Sequence, residues 1–384
     1  AEDVAFSYNL ALEKNAALSA NLLINLESAE VIDEYTVAFH LSAPFDGFPA
    51  ETTSRSGCLI NKKYYEEVGS EGYQAAPIGC GAYKFISRVS GQEIKMEAFD
   101  KYFLGEPDIK NVTVRIIQSV ATSFISLRSG DVDVVNLADI ASCKQLKEKD
   151  NATYITQPST NRIFLTLNTC INGDSALKDN LNLRRAIQYG INKEECILGA
   201  MSGAASVIDC SAPYFFNGAP DEGTFLKIDF DAAKAKEFLD ASGYNGEHLR
   251  LFVVSGTTEE KCAQIIQGEL LELGINIDIN GVDTGTYKSI DQNHSGWDLK
   301  ISSTTGSLCD VSTLNSFYML KDYWGPISER QDEMQELCEQ ANVLAGQARK
   351  DAIAKLVNIV NEEALDVYIM CKDSCIAFNK DLQG

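Results

Sequence analysis

The residues best suited to chemistry are dispersed in this sequence in a way that argues against catalysis. The three histidines, His40, His248 and His294, stand alone, and no H-E-x-x-H or similar ligand spacing occurs. Eleven cysteines are present, and an odd number cannot all pair internally. Only Cys371 and Cys375 are close together, and the C-x-x-C pair of a zinc site or thioredoxin-like centre is absent. Cys262 and Cys338 fall on the apolar stripes of helical patterns, as small buried residues do. There is no G-x-S-x-G elbow, and the histidines have no recognisable Ser or Cys partner pattern. The glycine pair of PIGCGAYKF, Gly79 and Gly81, is no phosphate loop, because a strand rather than a helix follows it. No cofactor and no metal are therefore expected.

One stretch does offer ligand chemistry. SSTTGSLCD carries Ser302, Ser303, Thr304, Thr305 and Ser307, hydroxyls that donate and accept neutral hydrogen bonds and would suit a sugar, an amide or a peptide backbone. The same residues could equally form a solvated loop. Asp310 closes the stretch with a carboxylate. Trp324, in KDYWGP, could stack on a ligand or serve a core or lobe interface, and Phe317, Tyr318 and Tyr323 share that ambiguity. Arg184, in the first turn of LRRAIQYGINKE, either contacts ligand or pairs with a structural carboxylate.

These residues must be held by a large framework. A chain of 384 residues exceeds what one core usually serves, which predicts two domains of roughly 100 to 200 residues. With 33 basic against 55 acidic residues, the net charge of -22 opposes nucleic acid and anionic lipid headgroups. No run approaches the ~20 apolar residues that span a bilayer. Alternation at Tyr35, Val37, Phe39 and Leu41 predicts a strand, and Tyr83–Arg88 with EIKMEAF a hairpin turned at Gly91. From Asn111 the pattern becomes strand, helix, strand, helix, which predicts a mostly parallel sheet with covering helices. After Pro220 the alternation returns through DAAKAKEFLDASG, LRLFVVS, TEEKCAQIIQGELLELG, INIDINGV and WDLKIS. The chain then turns helical, with two apolar stripes, before a last strand in DVYIMCKDSCIAF that should return to the first lobe.

Five segments, in one order, resemble the extracytoplasmic solute-binding proteins of ABC importers that bind peptides and nickel chelates. AEDVAFSYN looks like the family's T-A-x-D-V-x-x-S helix, PIGCGAY its P-x-G-T-G-P-Y turn, and LRSGDVDVV its L-x-x-G-E-x-D segment. LRRAIQYGINKE is similar to its V-R-x-A-I-x-x-A-I-D helix, and FDAAKAKEFLDASGY to its Y-D-P-x-K-A-K-x-L-L-x-x-A-G-Y. The resemblance implies an α/β, two-lobed periplasmic-binding-protein fold of the peptide-binding class, closing by hinge motion over a solute in the cleft between lobes. It implies a peptide or other small polar solute, a membrane permease as partner, a monomer, and an extracytoplasmic place as periplasmic protein or lipoprotein. A ligand-sensing receptor of the same fold, or a binder of a metal chelate or sugar, is the alternative.

The domains expected are residues 1–78 as the remnant of an N-terminal small subdomain, 79–180 with 366–384 as lobe I, and 181–365 as lobe II. In the family a further segment precedes the AEDV helix, so the chain resembles a piece of a longer precursor. Cys80 and Ala82 depart from the Thr and Pro of the family's turn. A larger departure follows WDLKIS, where peptide-binding members carry a Trp and then an Asp that pairs with the peptide ammonium. Counting without gaps from Asp298 puts Thr304 at the Trp position and Ser307 at the Asp position, with Asp310 at the aspartate of a following D-P pair. A shift by a single gap, three residues long, would instead make Asp310 the anchor. The ligand-binding residues expected are thus Thr304, Thr305, Ser307, Asp310, Trp324 and Arg184.

Overall fold

A computed structural model describes residues 1–14, 23, 25–53, 57–117, 119–136, 140–147, 150–170, 173–291, 294–305, 310–311 and 327–382. The chain divides into two compact units, Ala1–Asp133 and Val134–Gly384.

The first unit opens with helix α1 (Glu2–Lys14) and the antiparallel pair β1 (Leu26–Val31) and β2 (Val37–Leu41). Ala5 and Tyr8 of α1 bury against Leu26 and Ala29, and Tyr8 meets Phe39 edge to face with ring centres 4.8 Å apart. Two helices follow, α2 (Phe48–Glu51) and α3 (Lys62–Ala75), the latter capped by the Asn61 side chain on the Tyr64 N–H. A separate antiparallel sheet comprises β3 (Tyr83–Val89), β4 (Glu93–Ala98) and β5 (Asn111–Arg115), with Gly91 at φ 71° in the hairpin turn. Helix α4 (Val120–Ser129) starts at a Ser119 cap and stops at Gly130 in the left-handed region.

The second unit runs β6 (Val134–Asn136), α5 (Ile140–Cys143), β7 (Ala152–Leu167), α6 (Leu181–Gly190), α7 (Lys193–Met201), β8 (Ala205–Val207), α8 (Ala232–Ser242) and β9 (Leu249–Val254). It continues with α9 (Thr258–Leu273), β10 (Ile277–Val282), α10 (Thr284–Asp291), β11 (Leu299–Thr305), α11 (Gln331–Val343), α12 (Gly346–Glu362) and β12 (Asp366–Asn379). Its sheet has the order β10-β9-β11-β7-β12-β6, with β8 also paired to β12. One face of the sheet, with Leu165, Leu167, Leu251 and Leu299, packs on Leu183, Ile187, Cys262 and Ile266 of α6 and α9. The other face carries Phe164 and Tyr368 toward Met334, Cys338, Ile353 and Val357 of α11 and α12. Period-two burial along β9 and the apolar stripes of these helices deliver those two layers.

Two expectations change. The sheet is mixed rather than mostly parallel: β10 and β11 run parallel to β9, but β7, β12 and β6 pair antiparallel. Strand β7 runs unbroken through TYITQP and RIFLTLN, and Pro158 is tolerated within it beside a register shift at Cys371/Asp373 of β12. The last strand runs along β7, and both belong to the same sheet as β9, β10 and β11. The division between compact units accordingly falls at Asp133/Val134, and that one sheet draws strands from both sides of residue 180.

One buried carboxylate in this core sets a pH dependence. Glu269 on α9 accepts the Asn192 N–H at 3.2 Å, while its other oxygen is buried with no hydrogen bond among the described residues. Burial, aided by repulsion from Glu195 and Glu272 against the pull of that N–H, pushes its pKa up to about 7. The folded state therefore holds a proton that the unfolded chain releases near the ordinary glutamate value, and stability falls as pH rises from roughly 4.3 to about 7. Glu269→Gln is expected to flatten that fall and to raise the melting temperature at pH 8, checked by thermal denaturation across pH.

A candidate solute pocket in the second unit

The register of three strands builds a polar row. On one side of β7, Thr166 lies opposite Lys300 of β11, and on the other side opposite Asp366 of β12. The next pair along that face sets Phe164 between Ser302 and Tyr368. Because side chains alternate across a strand, Lys300, Thr166, Asp366, Ser302 and Phe164 share one face. They form part of the floor of a pocket of about 400 Å³, walled by Tyr287 and Trp297 and by apolar groups such as Val254, Ile327 and Leu365. That size suits a small ligand, and the mainly apolar wall with few polar groups is the usual make-up of a ligand site.

Local bonds fix these groups. The Tyr287 hydroxyl is 2.6 Å from the Ser302 hydroxyl and donates to the Ile301 carbonyl at 2.8 Å, and burial raises its pKa, so it remains a neutral phenol. The Asn168 amide donates to the carbonyls of Trp297 and His294, at 2.8 and 3.0 Å. Just beyond, Asp298 accepts the Arg250 guanidinium at 2.8 Å and the Arg250 backbone N–H at 2.9 Å, pinning the entry to β11. Glu259 meets Lys372 at 3.1 Å. Burial opposes its charge, but Lys372 and the Ser303 hydroxyl outweigh that and hold its pKa below the usual range.

Lys300 is the unusual member. It is 1% exposed, and its Nζ lies 5.1 Å from the Trp297 ring centre and 5.9 Å from that of Tyr287. Burial pulls its pKa down to about 7, against the opposing charge of Asp366. An amine poised in this way can present an ammonium or a neutral nitrogen to a guest near neutral pH.

Of the residues expected to bind ligand, Thr304 lines this pocket, with Ser302 and Ser303 of the same hydroxyl run. Thr305 is not among its lining residues, and its hydroxyl accepts the Asn161 amide at 3.0 Å. Ser307 and Trp324, like Phe317, Tyr318 and Tyr323, lie outside the described residues. Asp310 requires correction. It is fully buried, its two oxygens take Arg349 Nη1 and Nη2 at 2.9 and 2.7 Å, and the Asn217 amide donates to it at 2.7 Å. A carboxylate so engaged holds the fold together. Arg184 is corrected likewise. Its guanidinium donates to the carbonyls of Leu177, Lys178 and Glu363 at 2.7 to 2.9 Å, clamping the start of α6. The sequence reading passed over Lys300, Tyr287 and Asp366. A lysine inside the apolar run WDLKIS was a signal, but its neighbours depend on the cross-strand register.

A model of the bacterial extracellular solute-binding proteins, family 5, matches residues 1–325. The chain belongs to that family. It is similar to a glutathione-binding protein GsiB of Pectobacterium atrosepticum, 26% identical over 269 residues, which covers 69% of this chain and 51% of that protein. This family 5 chain thus spans about half the length of that relative. It is also similar to a probable D,D-dipeptide-binding periplasmic protein DdpA of Escherichia coli, 24% identical over 363 residues, covering 92% of the chain and 69% of that protein. Its fold matches the crystal structure of an ABC transporter substrate-binding protein, CtaP of Listeria monocytogenes, with a TM-score of 0.86 and 22% identity over 98% of this chain and 78% of that one. The α/β periplasmic-binding-protein fold expected from the five ordered segments is therefore the fold found. The family is one of solute-binding proteins, not enzymes. No described helix is long and apolar enough to cross a membrane.

Two outcomes follow from these buried charges. Asp310→Asn leaves the Arg349 guanidinium buried without its counter-charge and is expected to cost about 3 to 5 kcal/mol in chemical denaturation. A loss below ~1 kcal/mol would contradict a structural role. For Lys300, the folded pKa lies near 7 and the unfolded one near 10.4, so stability rises with pH between those values, where only the unfolded chain keeps its proton. Lys300→Met is expected to abolish that rise and to be more stable than wild type at pH 6, read by denaturant midpoints.

Proposed function

We propose that this chain is the solute-capturing component of an ABC importer and that its second unit supplies a binding pocket for an oligopeptide or similar small polar solute. The observation that carries the reading is the pocket of about 400 Å³, whose mainly apolar lining also holds hydroxyls, the buried amine of Lys300 and the carboxylates of Glu259 and Asp366. The similarity to glutathione-binding and D,D-dipeptide-binding relatives favours a short peptide. Hinge closure of the lobes over the solute would remove it from water, and preferential affinity for the closed form would report occupancy to the permease. The solute is held and released chemically unchanged, by a monomer that works outside the cytoplasm and does not bind nucleic acid.

Native mass spectrometry of the protein as purified, followed by denaturation, tests this directly. A retained or added short peptide released with unaltered mass is the expected result, whereas conversion of the solute would sink the reading. Thr304→Trp, which puts an indole into the pocket, is expected to weaken binding at least tenfold, about 1.4 kcal/mol, in calorimetry with the same solute. Unchanged affinity would move the site elsewhere.

A further inference from the structure

We propose that Cys143 and Cys375 are a dithiol pair that oxidises to an intrachain disulfide, stapling α5 to the C-terminal strand. Their sulfur atoms lie 3.7 Å apart although 232 residues separate them in the chain, and both side chains are buried, at 0% and 2% exposure.

The arrangement follows from strand register. Ala377 and Ile376 of β12 lie opposite Val135 and Asn136 of β6, and Cys375 lies opposite Thr156 of β7 on the other side. Cys375 therefore sits where β6 ends. The chain leaves β6 toward α5, and Cys143, the last residue of that short helix, comes back over the Cys375 side chain. Cys375 and Ala377 are both buried, so the sulfur points into the layer beneath α5. The two cysteines nearest in sequence make the opposite case. Cys371 and Cys375 are four residues apart on one strand, a span of about 13 Å, well beyond the ~7 Å between α-carbons that a disulfide can bridge. The Cys371 thiol instead donates to the Ser159 carbonyl at 2.7 Å.

The oxidant is a low-molecular-weight disulfide of the kind present in an oxidising extracellular medium, which suits a family of extracellular proteins. One cysteine thiolate attacks that disulfide, forming a mixed disulfide and releasing one small thiolate. The second cysteine sulfur then displaces the other small thiolate. The two cysteines lose two electrons and two protons, and the small disulfide is reduced to two thiols. Because both sulfurs are buried, the exchange belongs to folding rather than to the finished native state.

The link would close a long loop and so restrict the unfolded chain more than the folded one. It does not depend on the solute reading. Refolding the full chain with oxidised glutathione, alkylating the remaining thiols under denaturing conditions and digesting without reductant tests it. The expected result is a joined peptide pair containing Cys143 and Cys375, about 2 Da lighter than the two reduced peptides together and lost on reduction. The melting temperature of oxidised protein is expected to exceed that of reduced protein by roughly 5 to 10 °C. The difference should shrink in Cys143→Ala/Cys375→Ala. Peptide mapping on the wild-type chain needs no variant to fold. Both residues found alkylated, either one joined to glutathione, or Cys375 joined to any cysteine other than Cys143 would overturn the proposal.

Discussion

The antiparallel pairing of β7 with β12 is the constraint on which the second unit depends. These are its longest strands, and their register runs from Asp366 opposite Thr166 to Asn379 opposite Ala152. Everything else in the sheet is added to that pair: β11, then β9 and β10 on one side, β6 and β8 on the other. Because the pairing brings residues more than 200 positions apart into contact, the core cannot close until the last strand is in place. The same register sets Lys300, Thr166 and Asp366 in one row, so the pocket floor is a by-product of strand pairing.

How much of this could be read beforehand divides along a physical line. Elements set by local pattern were legible: the hairpin at Gly91 and the alternating strand LRLFVV. So was the family, because motif order is a property of the chain itself. Pairing partners were not legible. Strand-helix-strand spacing after Asn111 suggested a parallel unit, yet β5 pairs with β4 and β6 with β12, since the edge each strand finds is decided by segments far away. Pro158 disfavours a continuous ladder, and the irregular register of the partner strand beside it is what accommodates the ring.

The same distinction governs the site. A hydroxyl-rich run next to an apolar strand suggested a polar wall, and three of its members, Ser302, Ser303 and Thr304, line the pocket. Charged residues misled, because a lone Asp or Arg in a sequence carries no sign of what neutralises it. Arg349, the counter-charge of Asp310, lies 39 residues on and emerges from a helix whose apolar stripe gave it no prominence. Arg184 spends its donors on carbonyls, which no sequence pattern marks.

Three buried charges in this unit thus have different fates, and the difference is one of completion. Asp310 and Arg349 meet in a bidentate pair with further donors and acceptors around it, an arrangement whose desolvation cost is offset internally. Lys300 is as thoroughly buried, with Asp366 as its opposing charge and two aromatic rings beside it, and burial still pulls its pKa down to about 7. An amine kept at the edge of ionisation in a cavity costs stability whenever it is charged. A methionine would fill the same space without that cost, and the amine's place in the wall of a ligand-sized pocket is the feature on which the proposed solute reading draws.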